Sequence, residues 1–348
     1  MKITRRDFLK LSAVLTTGAV IEYYTSDIRK IFKAAAQQDV NVIWLQGSQD
    51  SGCTISMLQG ANPDLVDVIT DFRLSLTYQP SIMIAEGEEA LNRLKDAASG
   101  NTPLDVLIVE GGVPEGYFCT VGEIGGDPVP FEQWVKQLGA RASHVVALGS
   151  CAAFGGIPSG DPNPTNVRPV SEIITEKPVI NLPGCPPHPD WVILTLANVL
   201  QGISPELDEN NRPKAFYGKT VHEACSRLGY YEMGQFAESF EDPECLFRLG
   251  CKGPISHGEC PSRLWNNGTN MCTLGGVPCR ACVEPAFPDP PLSPFYSWEI
   301  IEPPTSEFPV DPMIVAGAAT AAVAAGAGAY ALQRRSKKKA GAKKKNRL

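Results

Sequence analysis

Positive charge is scarce through most of this 348-residue chain. Residues 37–312 hold 15 Lys and Arg against 35 Asp and Glu, a net −20. A body that acidic cannot neutralise phosphates, which excludes nucleic acid as its partner. Histidine is scarcer still, with four in the whole sequence. A Rieske-type centre needs two Cys and two His on one cluster, and Cys185-x2-His188 supplies half of that. No role follows from the positions of His144 and His257. There is no internal repeat, which excludes a solenoid. Wholesale disorder is excluded too, because hydrophobic residues make up 43% of the chain and charged residues 20%.

Gly and Pro together reach about 18%, so much of the chain is loop. Eleven cysteines are too many for an ordinary cytosolic enzyme and too dispersed for a small disulfide scaffold.

The two ends differ from the body. Thr4-Arg5-Arg6-Asp7-Phe8-Leu9-Lys10 precedes a short apolar run, Leu11 to Ile21. That order is an export signal, and the paired arginines mark the twin-arginine route. Ala34-Ala35-Ala36 offers a cleavage site, giving a signal over 1–36. The route carries folded proteins, which suits a chain that takes up a cofactor before it leaves the cytoplasm. At the other end, Met313 to Leu332 is uncharged and long enough to span a bilayer. Residues 333–348 form a basic tail that belongs on the cytoplasmic side, so the body lies outside. The span is mostly Ala and Gly, and a soluble lysine-rich tail is the competing reading.

Within the body, β-prone runs end in Gly or Pro. They are Val40 to Leu45, Leu104 to Val109, His144 to Leu148 and Val179 to Leu182. Helical patterns lie between them, as at Glu86 to Ala98 and Asp190 to Leu200. The alternation predicts an α/β fold, a doubly wound parallel sheet over 37–205. Residues 206–312 form a second, irregular part with seven cysteines. Pro278 to Pro312 contains ten prolines and reads as extended coil.

Ligands of such sheets bind beyond the carboxyl ends of the strands. Cys53, Cys119, Cys151 and Cys185 each follow one of the four predicted strands, so four sulfurs are expected on one edge. Downstream come His222-x2-Cys225, Cys245-x5-Cys251, and Cys260 with Cys272 and Cys279-x2-Cys282. Thiolates in fours with an occasional His suit iron–sulfur clusters or zinc. A four-thiolate zinc site on Cys260, Cys272, Cys279 and Cys282 is the first alternative, and disulfides in an exported protein are the second. Export of a folded chain argues against both.

These residues resemble the small, electron-transfer subunit of a membrane-bound nickel–iron uptake hydrogenase. The resemblance covers essentially the whole chain. It rests on Trp44-Leu45, Val109-Glu110-Gly111, Gly149-Ser150-Cys151-Ala152, Asn163-Pro164-Thr165, Pro183-Gly184-Cys185-Pro186 and the downstream Cys/His spacings. It implies a flavodoxin-like domain with a proximal cluster, an irregular Cys-rich domain with medial and distal clusters, and a C-terminal transmembrane helix. The implied partners are a large subunit, which holds the nickel–iron centre, and a membrane cytochrome b or quinone-reactive protein. A higher oligomer of heterodimers is implied as well. A related subunit of the quinone-reducing module of complex I is the nearest alternative, but it lacks the Cys-rich second half.

The resemblance implies three 4Fe–4S clusters. The distal ligands fall on His222, Cys225, Cys245 and Cys251. The medial ones fall on Cys260, Cys272, Cys279 and Cys282, with Cys272 where many members have Pro and a 3Fe–4S cluster. The proximal ones fall on Cys53, Cys151, Cys185 and Asp50, the last standing where the family's C-x-x-C has its first Cys. An Asp there resembles the oxygen-tolerant, high-affinity branches. Where the family usually has a Glu for proton transfer, this chain has Ile55. Cys119 is the rival to Asp50 as fourth proximal ligand; the competing role for Asp50 is a helix N-cap, and for Cys119 a buried small hydrophobe. In this reading the chain carries electrons from hydrogen oxidation but has no catalytic residue of its own.

Overall fold

The computed structural model describes residues 40–60, 64–71, 74–200 and 204–288. All of them belong to one compact unit. The export signal, the span at 313–332 and the basic tail lie outside the described residues. Among the described residues, no helix is long and apolar enough to cross a membrane.

Five parallel strands form the main sheet. They are β1 (Val40–Gln46), β2 (Leu74–Tyr78), β3 (Val106–Glu110), β6 (His144–Leu148) and β7 (Val179–Leu182). A separate hairpin of β4 (Thr120–Ile124) and β5 (Asp127–Pro130) lies between β3 and β6 in the chain. The sheet order is β2-β1-β3-β6-β7. Counting the parallel strands alone, this is the 2-1-3-4-5 order of flavodoxin-like folds, with its switch point between β1 and β3.

The predicted strands β1, β3, β6 and β7 are present. β3 begins at Val106, not Leu104; just before it the Asp105 carboxylate accepts the Asn41 backbone N–H at 2.8 Å. Sequence reasoning missed β2, an edge strand whose polar positions break the apolar run, and the β4–β5 hairpin. Short helices α1 (Gly52–Leu58) and α2 (Leu65–Asp71) lie between β1 and β2. The two predicted helices are α3 (Gly87–Ser99) and α7 (Pro189–Leu200). Between them come α4 (Phe131–Arg141), α5 (Gly149–Phe154) and α6 (Val170–Ile173).

The inner strands are apolar at almost every position because both faces are covered. Ile43, Leu45, Leu107, Val109, Val145 and Ala147 face one core, under α3 and α4. Val42, Trp44, Val106, Ile108, Val146 and Leu148 face the other. That second core is closed by α7 and by the Cys-rich half, through Phe216, Tyr217 and Val283. Arg212, 1% exposed, pairs with Asp208 at 2.7 Å and Glu284 at 3.1 Å and donates to the Val283 carbonyl at 2.9 Å. The end of the Cys-rich segment is thereby fastened to the turn that leads away from the sheet.

Candidate metal centres

Three groups of donors assemble. The first stands at the carboxyl ends of the strands. After β1 the chain turns through Ser51, at φ 61°, into α1, which places Cys53 in its first turn. Helix α5 starts directly at the end of β6 and carries Cys151. Cys185 follows β7 and is exposed. Burial is the largest influence on all three thiols. It drives Cys53 well above the usual thiol value, with Glu110, Cys151, Cys185 and Asp50 adding to it. Cys151 is pushed up to about 12 by burial, then by the neighbouring Cys185 and Asp50. Burial raises Cys185, and Asp50 adds to the effect. Asp50 therefore lies within electrostatic reach of all three sulfurs. Its Oδ1 accepts the Gly52 backbone N–H at 2.8 Å, a turn-type bond at the mouth of α1.

Cys119 does not join this group, which corrects the expectation of four sulfurs on one edge. It sits at the start of the β4–β5 hairpin, packs against the α3/α4 core, and has its thiol raised by burial alone. A long excursion after β3 carries it away from the strand end that the linear order suggests.

Glu110, in the Val109-Glu110-Gly111 motif, is fully buried at the end of β3. It accepts from Trp44 Nε1 at 2.8 Å, Gln46 Nε2 at 3.1 Å, the Thr54 backbone N–H at 3.1 Å and Thr54 Oγ1 at 2.5 Å. Four donors satisfy a carboxylate whose burial unpaired costs several kcal/mol. The bonds to Thr54 hold the first turn of α1, and with it Cys53. Sequence reasoning gave Glu110 no role. The available signal was an acidic residue ending an otherwise apolar strand.

The second group is Cys260, Cys272, Cys279 and Cys282. Burial raises Cys260 to about 12, with Cys279 and Cys272 adding to it, and Cys279 to about 11, with Cys251 and Cys272 adding to it. Cys282 is driven well above its usual value by burial, then by Cys260 and Cys279. A cleft of about 790 Å³ is lined by these four cysteines and by Cys185 of the first group. The third group is Cys225, Cys245 and Cys251, which line one pocket with His222. The Cys251 thiol is raised by burial and then by Cys225 and Cys245. The His222 ring packs edge-on against Tyr231, with centroids 4.5 Å apart.

All eleven cysteines are free, so disulfides do not hold this fold. Among the described residues, no three His, Cys, Asp or Glu side chains are close enough to grip a single metal ion. A lone zinc draws four thiolates onto ~2.3 Å bonds. A cluster takes its thiolates on separate irons and needs them further apart. The surroundings fit such a group. A Cβ on Gly149 would lie 2.5 Å from the Cys53 sulfur, and one on Gly156 would lie 3.0 Å from the Cys151 sulfur. Glycine thus keeps the space around the sulfurs open. His188 is no ligand: its Nδ1 accepts the Asp190 N–H at 3.1 Å, and its Nε2 donates to the Leu264 carbonyl at 2.6 Å.

Residues 217–296 match the family of the C-terminal part of NiFe/NiFeSe hydrogenase small subunits. The periplasmic [NiFeSe] hydrogenase small subunit of Desulfomicrobium baculatum is 37% identical over 317 residues, spanning 85% of this chain and 99% of the relative. The chain belongs to the small subunits of nickel–iron hydrogenases. Residues 51–199 match the "NADH ubiquinone oxidoreductase, 20 Kd subunit" family, so the kinship with complex I stops at the flavodoxin-like half. The quinone-reactive Ni/Fe-hydrogenase small chain of Wolinella succinogenes is 35% identical over 82% of each chain. The actinobacterial-type NiFe-hydrogenase from Ralstonia eutropha H16 superposes with a TM-score of 0.71 at 29% identity, covering 84% of this chain and 92% of that one. This hydrogenase small subunit transfers electrons, and its partner is a large subunit.

Proposed function

We propose that this protein receives the electrons of hydrogen oxidation from its large subunit, then passes them through three 4Fe–4S clusters to a membrane acceptor. The observation that carries the reading is the assembly of ten cysteines into three groups within one unit, joined by His222 and Asp50. The proximal set is Asp50, Cys53, Cys151 and Cys185. The medial set is Cys260, Cys272, Cys279 and Cys282, and the distal set is His222, Cys225, Cys245 and Cys251. When bound, the clusters accept and release single electrons. The chain orients the donors, shields them partly from water, and surrounds them with backbone N–H groups and fixed charge.

The rim of the proximal set supports docking of the large subunit there. Ile55, Leu58 and Ile157 are 55%, 50% and 45% exposed beside it. Exposed apolar side chains around a redox site suit a partner's docking face. Ile55 cannot move protons, so the proton-transfer role of the family's Glu does not carry over to this position. Asp50 as an iron ligand supplies a hard donor to the cluster nearest the partner, which fits the Asp-containing, oxygen-tolerant branches. The quinone-reactive relative supports a membrane acceptor. The twin-arginine signal, the 313–332 segment and the basic tail support export and anchoring with the body outside. Assembly of heterodimers into a higher oligomer belongs to the same reading.

The test is purification with the native large subunit. The complex should be brown, hold about twelve irons in this chain at four per cluster, and reduce a dye with hydrogen. A colourless complex without acid-labile sulfide would overturn the cluster reading.

A further inference from the structure

Ser150 is 1% exposed and immediately precedes Cys151 of the proximal set. Its hydroxyl donates to the backbone carbonyl of Cys282, a residue of the medial set. The same oxygen accepts the Gly184 backbone N–H at 2.9 Å, and the Ser150 N–H returns a bond to the Gly184 carbonyl at 3.1 Å. One side chain therefore ties together the helix that carries Cys151, the loop that carries Cys185, and the segment that carries Cys282. The backbone amide of Cys185 also faces the Cys282 sulfur. The two ligand groups meet at this seam, and the cleft between them is lined by cysteines of both.

We infer that Ser150 is a positioning residue that fixes the spacing between the proximal and medial clusters, and thereby the rate at which electrons cross between them. The inference rests on the cluster reading above. Electron passage falls steeply with separation and depends on the atoms between donor and acceptor, so the seam that sets the separation sets the rate. A hydroxyl suits the place because it donates and accepts at once. Alanine keeps the packing but leaves the Gly184 N–H and the Cys282 carbonyl without their buried partner, a penalty relieved only if the segments part or water enters.

The test uses the holoenzyme with its native large subunit. Iron and acid-labile sulfide are measured first; an unmodified complex without them fails the cluster reading independently of Ser150. In Ser150→Ala with native iron content, the spin–spin interaction between the reduced proximal and medial clusters should be lost or narrowed in electron paramagnetic resonance. Hydrogen-driven dye reduction should fall with it. Ser150→Thr, which keeps the hydroxyl, should restore both. Native iron and a native interaction in Ser150→Ala would overturn the inference. If Ser150→Ala does not assemble, Ser150→Thr decides: a native interaction supports the assignment, and full iron with a lost interaction overturns it.

Discussion

The backbone N–H of Cys279 donates to the sulfur of Cys251 across 3.3 Å. The two residues belong to different donor groups, so the second and third groups touch directly. Lys252 closes the same junction from the other side, its backbone N–H donating to the Cys279 carbonyl at 2.7 Å. An N–H aimed at a ligand sulfur stabilises the more negative charge state, which raises the potential of the cluster that sulfur holds.

In the proposed assignment, Cys272 supplies the fourth thiolate of the medial cluster. Cys272→Pro should yield a 3Fe–4S centre with a higher potential. Redox-poised electron paramagnetic resonance checks this. An oxidised native protein that already shows a full 3Fe–4S signal without air damage would refute the assignment.

Asp50 and Cys119 can be separated by substitution. Asp50→Ala should leave one iron of the proximal cluster labile, and hydrogen oxidation should fall far more than in Cys119→Ala. Asp50→Cys should give an all-thiolate cluster with a shifted potential and altered activity in air. If the bond to Gly52 is the whole role of Asp50, Asp50→Ala costs only about 1 kcal/mol and leaves the cluster spectra unchanged.

Alkaline pH should destabilise the chain stripped of clusters. Burial raises the folded-state thiols of Cys151 and Cys260 to about 12 from an ordinary value of 9.0. The folded chain therefore holds protons that the unfolded chain has released. The resulting stability is full below pH 9.0 and is lost as pH rises towards about 12. Thermal unfolding of the stripped protein over that window should show a falling midpoint. A flat profile would contradict the burial of these thiols.

Arg212 should be indispensable to the join between the two halves. Arg212→Ala removes the cation that Asp208 and Glu284 share, at a cost of about 3–5 kcal/mol. The denaturant midpoint should drop with little change in slope. Release of iron from the medial site should precede global unfolding, because Val283 and Glu284 directly follow Cys282.

Removal of residues 313–348 should release a soluble heterodimer that still reduces dyes with hydrogen. Electron delivery to the membrane acceptor should fall. Unchanged membrane retention after the deletion would show that this segment is not the anchor.

Much of this protein is written locally in its sequence. The strands β1, β3 and β6 inside the sheet and the buried edge strand β7 are short apolar runs stopped by Gly or Pro, and burial dictates that pattern, so all four could be read directly. The downstream Cys and His spacings are equally local, whereas their assignment to two sets of four came from the family resemblance. The edge strand β2 and the β4–β5 hairpin were not legible, because half-exposed strands carry polar residues that blur their period. Tertiary structure alone decided that Cys119 leaves the strand-end group, since the excursion after β3 has no signature in spacing. It alone decided that Glu110 clamps Thr54, 56 residues away, and that Ser150 reaches the carbonyl of Cys282, 132 residues away. Those bonds join backbone and side-chain atoms whose meeting depends on how the Cys-rich half packs against the sheet. Periodicity records which face of an element is buried, but it carries no information about which distant atom lies on the other side.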